Sequence, residues 1–297
     1  MKVIRAEILG FCKGVRRAVE MARQVTSGGA LPAGPVYTLG PLIHNSRVLD
    51  SLRERGVICL EEDEIPIVPP NSTGFPVVII RAHGVSPAVE RGLARRGMNV
   101  IDATCPHVKV SQGKAASFAE DGYRVFLAGE KDHAEIKAIL GYVQDSTYRR
   151  GFVVSSPAEA GAAAEGLYRR EPEARTALIG QTTIRAEEYL SIGEKIRQFF
   201  PSLEIVDSIC AATAERQRAL GTLCGEVDAL VIVGSRESAN TRRLLSLALE
   251  LGRPAWLVET AADLPVEIGA FKIVGLSAGA STPDSLIDEV EEALEAL

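Results

Sequence analysis

The residues of this sequence best equipped for chemistry are its cysteines, and three of the five fall in step. "AEILGFCKG" runs into Cys12, "NVIDATCPH" into Cys105 and "LEIVDSICAA" into Cys210. A strand-like run precedes each and a helical pattern follows. Each thiol is therefore expected at a helix N-terminus, where the macrodipole favours a thiolate. A second set of landmarks keeps the same phase. Gly129 lies 24 residues after Cys105, Gly234 lies 24 after Cys210, and Gly40 lies 28 after Cys12. His133, Ser238 and His44 each come four residues past their glycine. A third set, His83, Thr182 and Ser281, lies 71, 77 and 71 residues beyond the respective cysteines.

Three thiolates from distant parts of one chain point to a metal centre. Zinc would take the three cysteines with a histidine or water as fourth ligand. An iron–sulfur cluster would take the same three and leave one iron without a protein ligand. The plainer alternative is three buried structural thiols, since cysteine packs well in cores. That reading suits one cysteine better than three in phase. No CxxC pair occurs, which excludes a local zinc knuckle. Cys59 and Cys224 match no repeat position and read as structural.

Around the cysteines the landmarks supply donors with little fixed charge. His44, His83, His133, Thr182, Ser238, Asn240 and Ser281 suit a phosphate or diphosphate held by hydrogen bonds and helix N-termini. No Walker loop is present; "GFCKGVRR" lacks its spacing. Glu135, two residues past His133, is the one carboxylate at its position; the other repeats have Ser46 and Asn240. A carboxyl group beside a metal is a candidate proton relay, against the plain reading of a solvated helix-terminal glutamate. His107 follows "CP", and the repeats do not explain it.

The elements that must position these residues alternate between strand and helix. "VVII" (77–80), "RVFLAG" (124–129), "TALIG" (176–180), "ALVIVG" (229–234) and "FKIVGLS" (271–277) are continuous apolar runs, as in strands covered on both faces. "MKVIRAEILGF" reads as an N-terminal strand. In 12–25, Val15, Ala18, Val19, Ala22 and Val25 recur at helical spacing, opposite Lys13, Arg16, Arg17 and Arg23. The pattern predicts an α/β fold with mainly parallel sheets, in three related units spanning 1–98, 99–203 and 204–297. Units of this kind are expected around a pseudo-threefold axis, with the landmarks at strand carboxyl ends facing a central cavity. The chain has 297 residues and a net charge of −6, so no basic surface advertises nucleic acid. No apolar run approaches a membrane span, and no signal peptide is read. A cytoplasmic protein is expected, in which cysteines serve as thiols or ligands rather than disulfides.

At these residues the sequence resembles the 4-hydroxy-3-methylbut-2-enyl diphosphate reductase family. The resemblance spans nearly the whole chain. It rests on "GFCKGVRRAVE", "IHNSRVLDSLRERGV", "RAHGVS", "DATCP", "HAEI", "QTT", "SICAAT", "GSRESANTRRL" and "SAGAS", in that order. It implies a trefoil of three α/β domains around one 4Fe–4S cluster held by Cys12, Cys105 and Cys210. By that likeness His44, His83, His133, Thr182, Ser238, Asn240 and Ser281 surround the substrate, mainly its diphosphate. Glu135 relays a proton with Thr182 and His133 beside it. The implied reaction removes the allylic hydroxyl of (E)-4-hydroxy-3-methylbut-2-enyl diphosphate with two electrons and two protons. The products are isopentenyl and dimethylallyl diphosphate. No flavin or nicotinamide motif is present, so the electrons are expected from ferredoxin or flavodoxin, as the family takes them.

The sequence departs from the family pattern in three places. Ala239 stands in a Ser-Ala-Asn triplet where Ser-Ser-Asn is usual, "HAEI" replaces "HPEV", and Ala138 stands where glycine is frequent. Two other functions use the same residues. One is a non-redox cluster dehydratase of a small phosphorylated substrate. The other is a zinc or metal-free binding protein for a phosphorylated ligand.

Overall fold

A computed structural model of the chain describes residues 1–27, 34–68, 76–147 and 150–297. The strands in chain order are β1 (Lys2–Arg5), β2 (Val36–Leu39), β3 (Val57–Leu60), β4 (Val77–Ile80), β5 (Asn99–Asp102), β6 (Arg124–Ala128), β7 (Gly151–Val154), β8 (Thr176–Gly180), β9 (Glu204–Ile205), β10 (Ala229–Val233), β11 (Ala255–Val258) and β12 (Ile273–Ala278). The α-helices are α1 (Lys13–Ser27), α2 (Ser46–Glu54), α3 (Pro87–Arg95), α4 (Pro106–Glu120), α5 (Ala134–Gln144), α6 (Pro157–Tyr168), α7 (Ala186–Arg197), α8 (Ala211–Cys224), α9 (Ala239–Glu250) and α10 (Asp284–Glu295). The mainly parallel α/β class read from the sequence is borne out. The described strands form three four-stranded sheets, and every pairing is parallel.

Two compact units divide the chain. One comprises Met1–Val19, Ile43–Ser51 and Ala211–Leu297. It holds the sheet β1-β12-β10-β11. The other comprises Glu20–Leu42 and Leu52–Cys210. It holds the sheets β3-β2-β4-β5 and β7-β6-β8-β9. In all three sheets the strand that leads into a cysteine is an edge strand. β5 pairs with β4, β9 with β8 and β1 with β12.

The apolar runs became the inner strands. β4, β8 and β10 are buried along their whole length, as strands covered on both faces must be. Side chains such as Phe126, Leu178 and Ile192 share one core. Each contributes about 1.5–3 kcal/mol by leaving water. The edge strands β1 and β5 stay half-exposed. β1 is shorter than the N-terminal apolar run: pairing stops at Arg5, and the chain turns through Gly10 at φ 73°. α1 matches its periodicity, with Ala18, Val19 and Ala22 buried and Lys13, Arg16, Arg17 and Arg23 exposed. Among the described residues no helix is long and apolar enough to cross a membrane.

Asp102, at the end of β5, ties down the start of α4. Its Oδ1 accepts the Thr104 N–H at 2.9 Å, and Lys109 Nζ lies 2.5 Å from Oδ2. Burial alone would raise the Asp102 carboxyl, but the bonds from Lys109 and Thr104 outweigh it and hold the group below its ordinary value. A depressed carboxylate adds stability above its unfolded pKa of about 3.9 and loses it as pH falls through the lower folded value. The pair is part-exposed, so solvent screening limits its worth to about 1 kcal/mol. Asp102→Asn is expected to cost up to that amount in urea unfolding at neutral pH. The difference should close once both carboxyl forms are protonated in strong acid.

Candidate functional site

Each cysteine sits on the loop between an edge strand and the helix that follows. The same hydrogen bond recurs at all three. The Cys12 N–H donates to Ala280 O at 3.1 Å, Cys105 N–H to Ala82 O at 2.9 Å, and Cys210 N–H to Thr182 O at 3.0 Å. Each acceptor lies two residues past the end of the neighbouring inner strand, β12, β4 or β8. The glycine landmarks are matched in the same way. Gly40 N–H donates to Leu60 O at 2.8 Å, Gly129 N–H to Val154 O at 3.0 Å, and Gly234 N–H to Val258 O at 2.9 Å. In each case the acceptor is the last residue of the adjoining edge strand.

All three cysteines are half-buried, and none of the five is joined in a disulfide. Cys105 is the N-cap of α4, with Pro106 pre-set at the first helical position. Cys12 accepts the Val15 N–H on its Sγ at 3.4 Å. Three sulfurs at helix starts are soft donors of the kind that bind metals as thiolates. The donor set therefore fits a sulfur-ligated metal group. Cys224 behaves otherwise: it packs in a core with Leu220 and Leu244, and burial pushes its thiol up. Cys59 is exposed on β3.

The polar landmarks come together as follows within each unit. In the larger unit Glu135 is 1% exposed, deep in the first turn of α5. Its Oε1 accepts the Thr182 N–H at 2.6 Å and its Oε2 accepts the Thr182 hydroxyl at 2.8 Å. The carbonyl of the same Thr182 holds Cys210. The plain reading of Glu135 as a solvated glutamate is therefore set aside. His133 caps α5, its Nδ1 accepting the Glu135 N–H at 3.2 Å, so the ring's exchangeable proton sits on Nε2. The His83 ring stands edge-on to it, 5.2 Å between centroids. Counting from the strand ends, the mate of His83 is Thr183, and Thr182 is the mate of Ala82. This offset of one residue turns the Thr182 backbone and hydroxyl onto Glu135.

In the smaller unit Ser238 caps α9, accepting the Thr241 N–H at 3.4 Å. Asn240 and Ser281 are buried beside the strand ends. Among the described residues both amide atoms of Asn240, Thr241 Oγ1 and Ser277 Oγ are buried without a partner. Buried polar atoms are nearly always satisfied, so such a group awaits a ligand or water. His44 is half-buried. The cap of α2 falls one residue later, on Asn45, whose Oδ1 accepts the Val48 N–H at 3.1 Å. His107 is exposed on the first turn of α4.

Counting missed one further anchor. Arg216 on α8 is 3% exposed, and its Nη2 and Nε donate to Gly10 O at 2.5 and 3.2 Å. Its Nη1 donates to Ala212 O at 2.7 Å. Gly10 has no room for a side chain: a Cβ would lie 2.8 Å from Ile287 Cδ1. α8 thus fixes the loop two residues before Cys12. Arg216→Met is expected to destabilise the protein by on the order of 3 kcal/mol, because charged donors and a buried carbonyl lose each other. It should also speed alkylation of Cys12 relative to Cys105 and Cys210 in the same molecules, read by peptide mass spectrometry.

Parallel α/β sheets, three helices headed by cysteine and a buried carboxylate in the first turn of a helix together define a class of protein, and the family it corresponds to can be stated. The LytB protein family matches residues 3–295, and the chain belongs to it. Its curated relatives are named 4-hydroxy-3-methylbut-2-enyl diphosphate reductase. The protein of Treponema pallidum (strain Nichols) is 44% identical over 99% of this chain and 84% of its own length. That of Treponema denticola is 39% identical over 99% of both. That of Aquifex aeolicus is 36% identical over 99% of this chain and 96% of its own. Among solved structures, the E-1-hydroxy-2-methyl-but-2-enyl-4-diphosphate reductase from Plasmodium falciparum superposes with a TM-score of 0.87 at 26% identity, covering 98% of this chain and 87% of that one. A structure of (E)-4-hydroxy-3-methyl-but-2-enyl diphosphate reductase, the terminal enzyme of the non-mevalonate pathway, gives 0.68 at 35% identity over the full length of both. The resemblance read from the motifs is borne out.

Proposed function

We propose that this chain reduces (E)-4-hydroxy-3-methylbut-2-enyl diphosphate to isopentenyl and dimethylallyl diphosphate, in three α/β repeats spanning 1–98, 99–203 and 204–297. The observation that carries the reading is the buried Glu135 carboxylate, bound twice by the residue whose carbonyl holds Cys210. Cys12, Cys105 and Cys210 would hold one 4Fe–4S cluster. When bound, that cluster supplies single electrons and a Lewis-acidic iron without a protein ligand.

The rest is the work of side chains. Ser238, Asn240 and Ser281 bind the diphosphate together with His44, His83 and His133; the partnerless amide of Asn240 supports this. Anchoring the diphosphate fixes the allylic carbon and removes the entropy cost of finding the reactive pose. Glu135 delivers a proton to the departing hydroxyl oxygen, which leaves as water. Thr182 keeps the carboxyl group in place and passes on its proton. His133, with its proton on Nε2, is a second donor on the same helix cap. Two electrons and two protons balance the loss of water and the new C–H bond. Protonation at either end of the allylic system gives either product.

The electrons come from a ferredoxin or flavodoxin, and the protein works in the cytoplasm, where five cysteines outside disulfides are expected. Anaerobic purification tests the reading. A brown protein absorbing at about 400 nm is expected. Reduced dye should be oxidised only when the diphosphate substrate is present. A colourless zinc protein, or substrate loss without dye oxidation, would overturn it.

A further inference from the structure

The larger unit has a second polar cavity, of about 220 Å³, at the carboxyl ends of β2 and β4. Gly40, Glu61, Arg81, Ser86, Val89 and Lys137 are among its lining residues. The Arg81 guanidinium lies against Gly40, where a Cβ would collide with Nη1. Among the described residues its side chain makes no hydrogen bond and no ion pair, and its Nε is buried without a partner. Burial holds the guanidinium below its ordinary value, while Glu61 and Cys59 act on it through space in the opposite sense. It remains charged, because arginine does not deprotonate in proteins. The side chain is half-buried, and an anion on the guanidinium would give the buried Nε the partner it lacks.

The other groups facing the cavity restrict what that anion is. Ser86 accepts the Val89 N–H at 3.4 Å and so has its own hydroxyl proton to give. Lys137 stands at the rim, 3.1 Å from Asp132. Glu61 and Glu62 are exposed on the other side. With Lys137 already paired to Asp132 and two glutamates facing Arg81, the lining carries no excess positive charge, which disfavours a polyanion or a long diphosphate ester. A planar fork of N–H donors and a hydroxyl lining the same cavity match a small tetrahedral oxyanion.

We propose that this cavity is a second anion site, which takes a single phosphate-class oxyanion on Arg81 and Ser86. None of the residues proposed to bind the diphosphate lines it, although Gly84 and Ala134 adjoin His83 and His133 in the chain. Arg81 and Ala82 are adjacent, and Ala82 O carries the Cys105 N–H, so occupancy braces the loop that bears His83.

Inorganic phosphate is the probe, titrated calorimetrically into the anaerobic full-length protein. Wild type and Asn240→Ala should both bind one phosphate at this site. Arg81→Met should lose about tenfold or more in affinity, the worth of a charge-assisted bond pair. In phosphate-free buffer Arg81→Met should melt no lower than wild type, since it removes an uncompensated charge. Phosphate should then raise the melting temperature of wild type but not of the variant. Equal phosphate affinity in Arg81→Met and wild type would overturn the proposal, as would no binding to wild type up to tens of millimolar. Equal destabilisation by Arg81→Met and Glu61→Gln would also overturn it, because Glu61 would then be the partner of Arg81 in solution.

Discussion

Glu135→Gln should leave a fully loaded, brown protein with almost no turnover. The substitution keeps the shape of the side chain. The glutamine Oε1 can still accept the Thr182 N–H, and its Nε2 can donate to the Thr182 hydroxyl once that hydroxyl turns from donor to acceptor. Both contacts seen at 2.6 and 2.8 Å therefore survive in altered polarity. What is lost is the acid. General acid catalysis by a positioned side chain is worth about 10²–10⁴-fold, and a loss in that range is expected in kcat. Iron content and the visible spectrum should match wild type. A variant that turns over at the wild-type rate would remove Glu135 from the proton path. Loss of iron along with activity would make its role structural.

Cys105→Ser should lose the cluster while keeping the fold. Serine is among the best N-cap residues, so α4 keeps its start, and the backbone bond to Ala82 O does not involve the side chain. A neutral hydroxyl is a poor substitute for a thiolate on iron, so the variant should hold about three irons or fewer per chain and lose its activity. Far-ultraviolet circular dichroism should be unchanged. A full four-iron spectrum in this variant would end the three-cysteine assignment, whatever became of the activity.

Much of this site could be read from spacing, and the exceptions have physical causes. The inner strands were visible because a strand covered on both faces must be apolar throughout, as "VVII" and "ALVIV" are. The cysteines were visible because each occupies the same point between an edge strand and a helix. The sequence landmarks and the element ends part company by one residue at two places. Counting from Gly40 selects His44, but α2 starts at Ser46 and its cap is Asn45. Thr182 lies 77 residues past Cys105, against 71 in the other two repeats, and sits one position before Thr183, the strand-end mate of His83 and Ser281. Arg216 left no signal, since a charged helical residue reads as solvent-facing until tertiary packing buries it against Gly10. Arg81, on the loop after β4, also left no signal: only the cavity around it shows that its Nε lacks a partner.

The edge pairing of β1 with β12 sets an order on how the protein is made. Lys2 aligns with Ile273 and Arg5 with Leu276, so β1 waits for β12 to be made. Chains fold their N-terminal parts first wherever they can, but this contact spans nearly the whole sequence and closes late. Cys12 has its backbone partner, Ala280, only once that residue has been synthesised. Cys105 meets Ala82, and Cys210 meets Thr182, within far shorter stretches. A growing chain thus arranges two of its thiols early and the third only after Ala280 has been made. A truncation before Ile273 would strand Cys12 without a sheet to hold it.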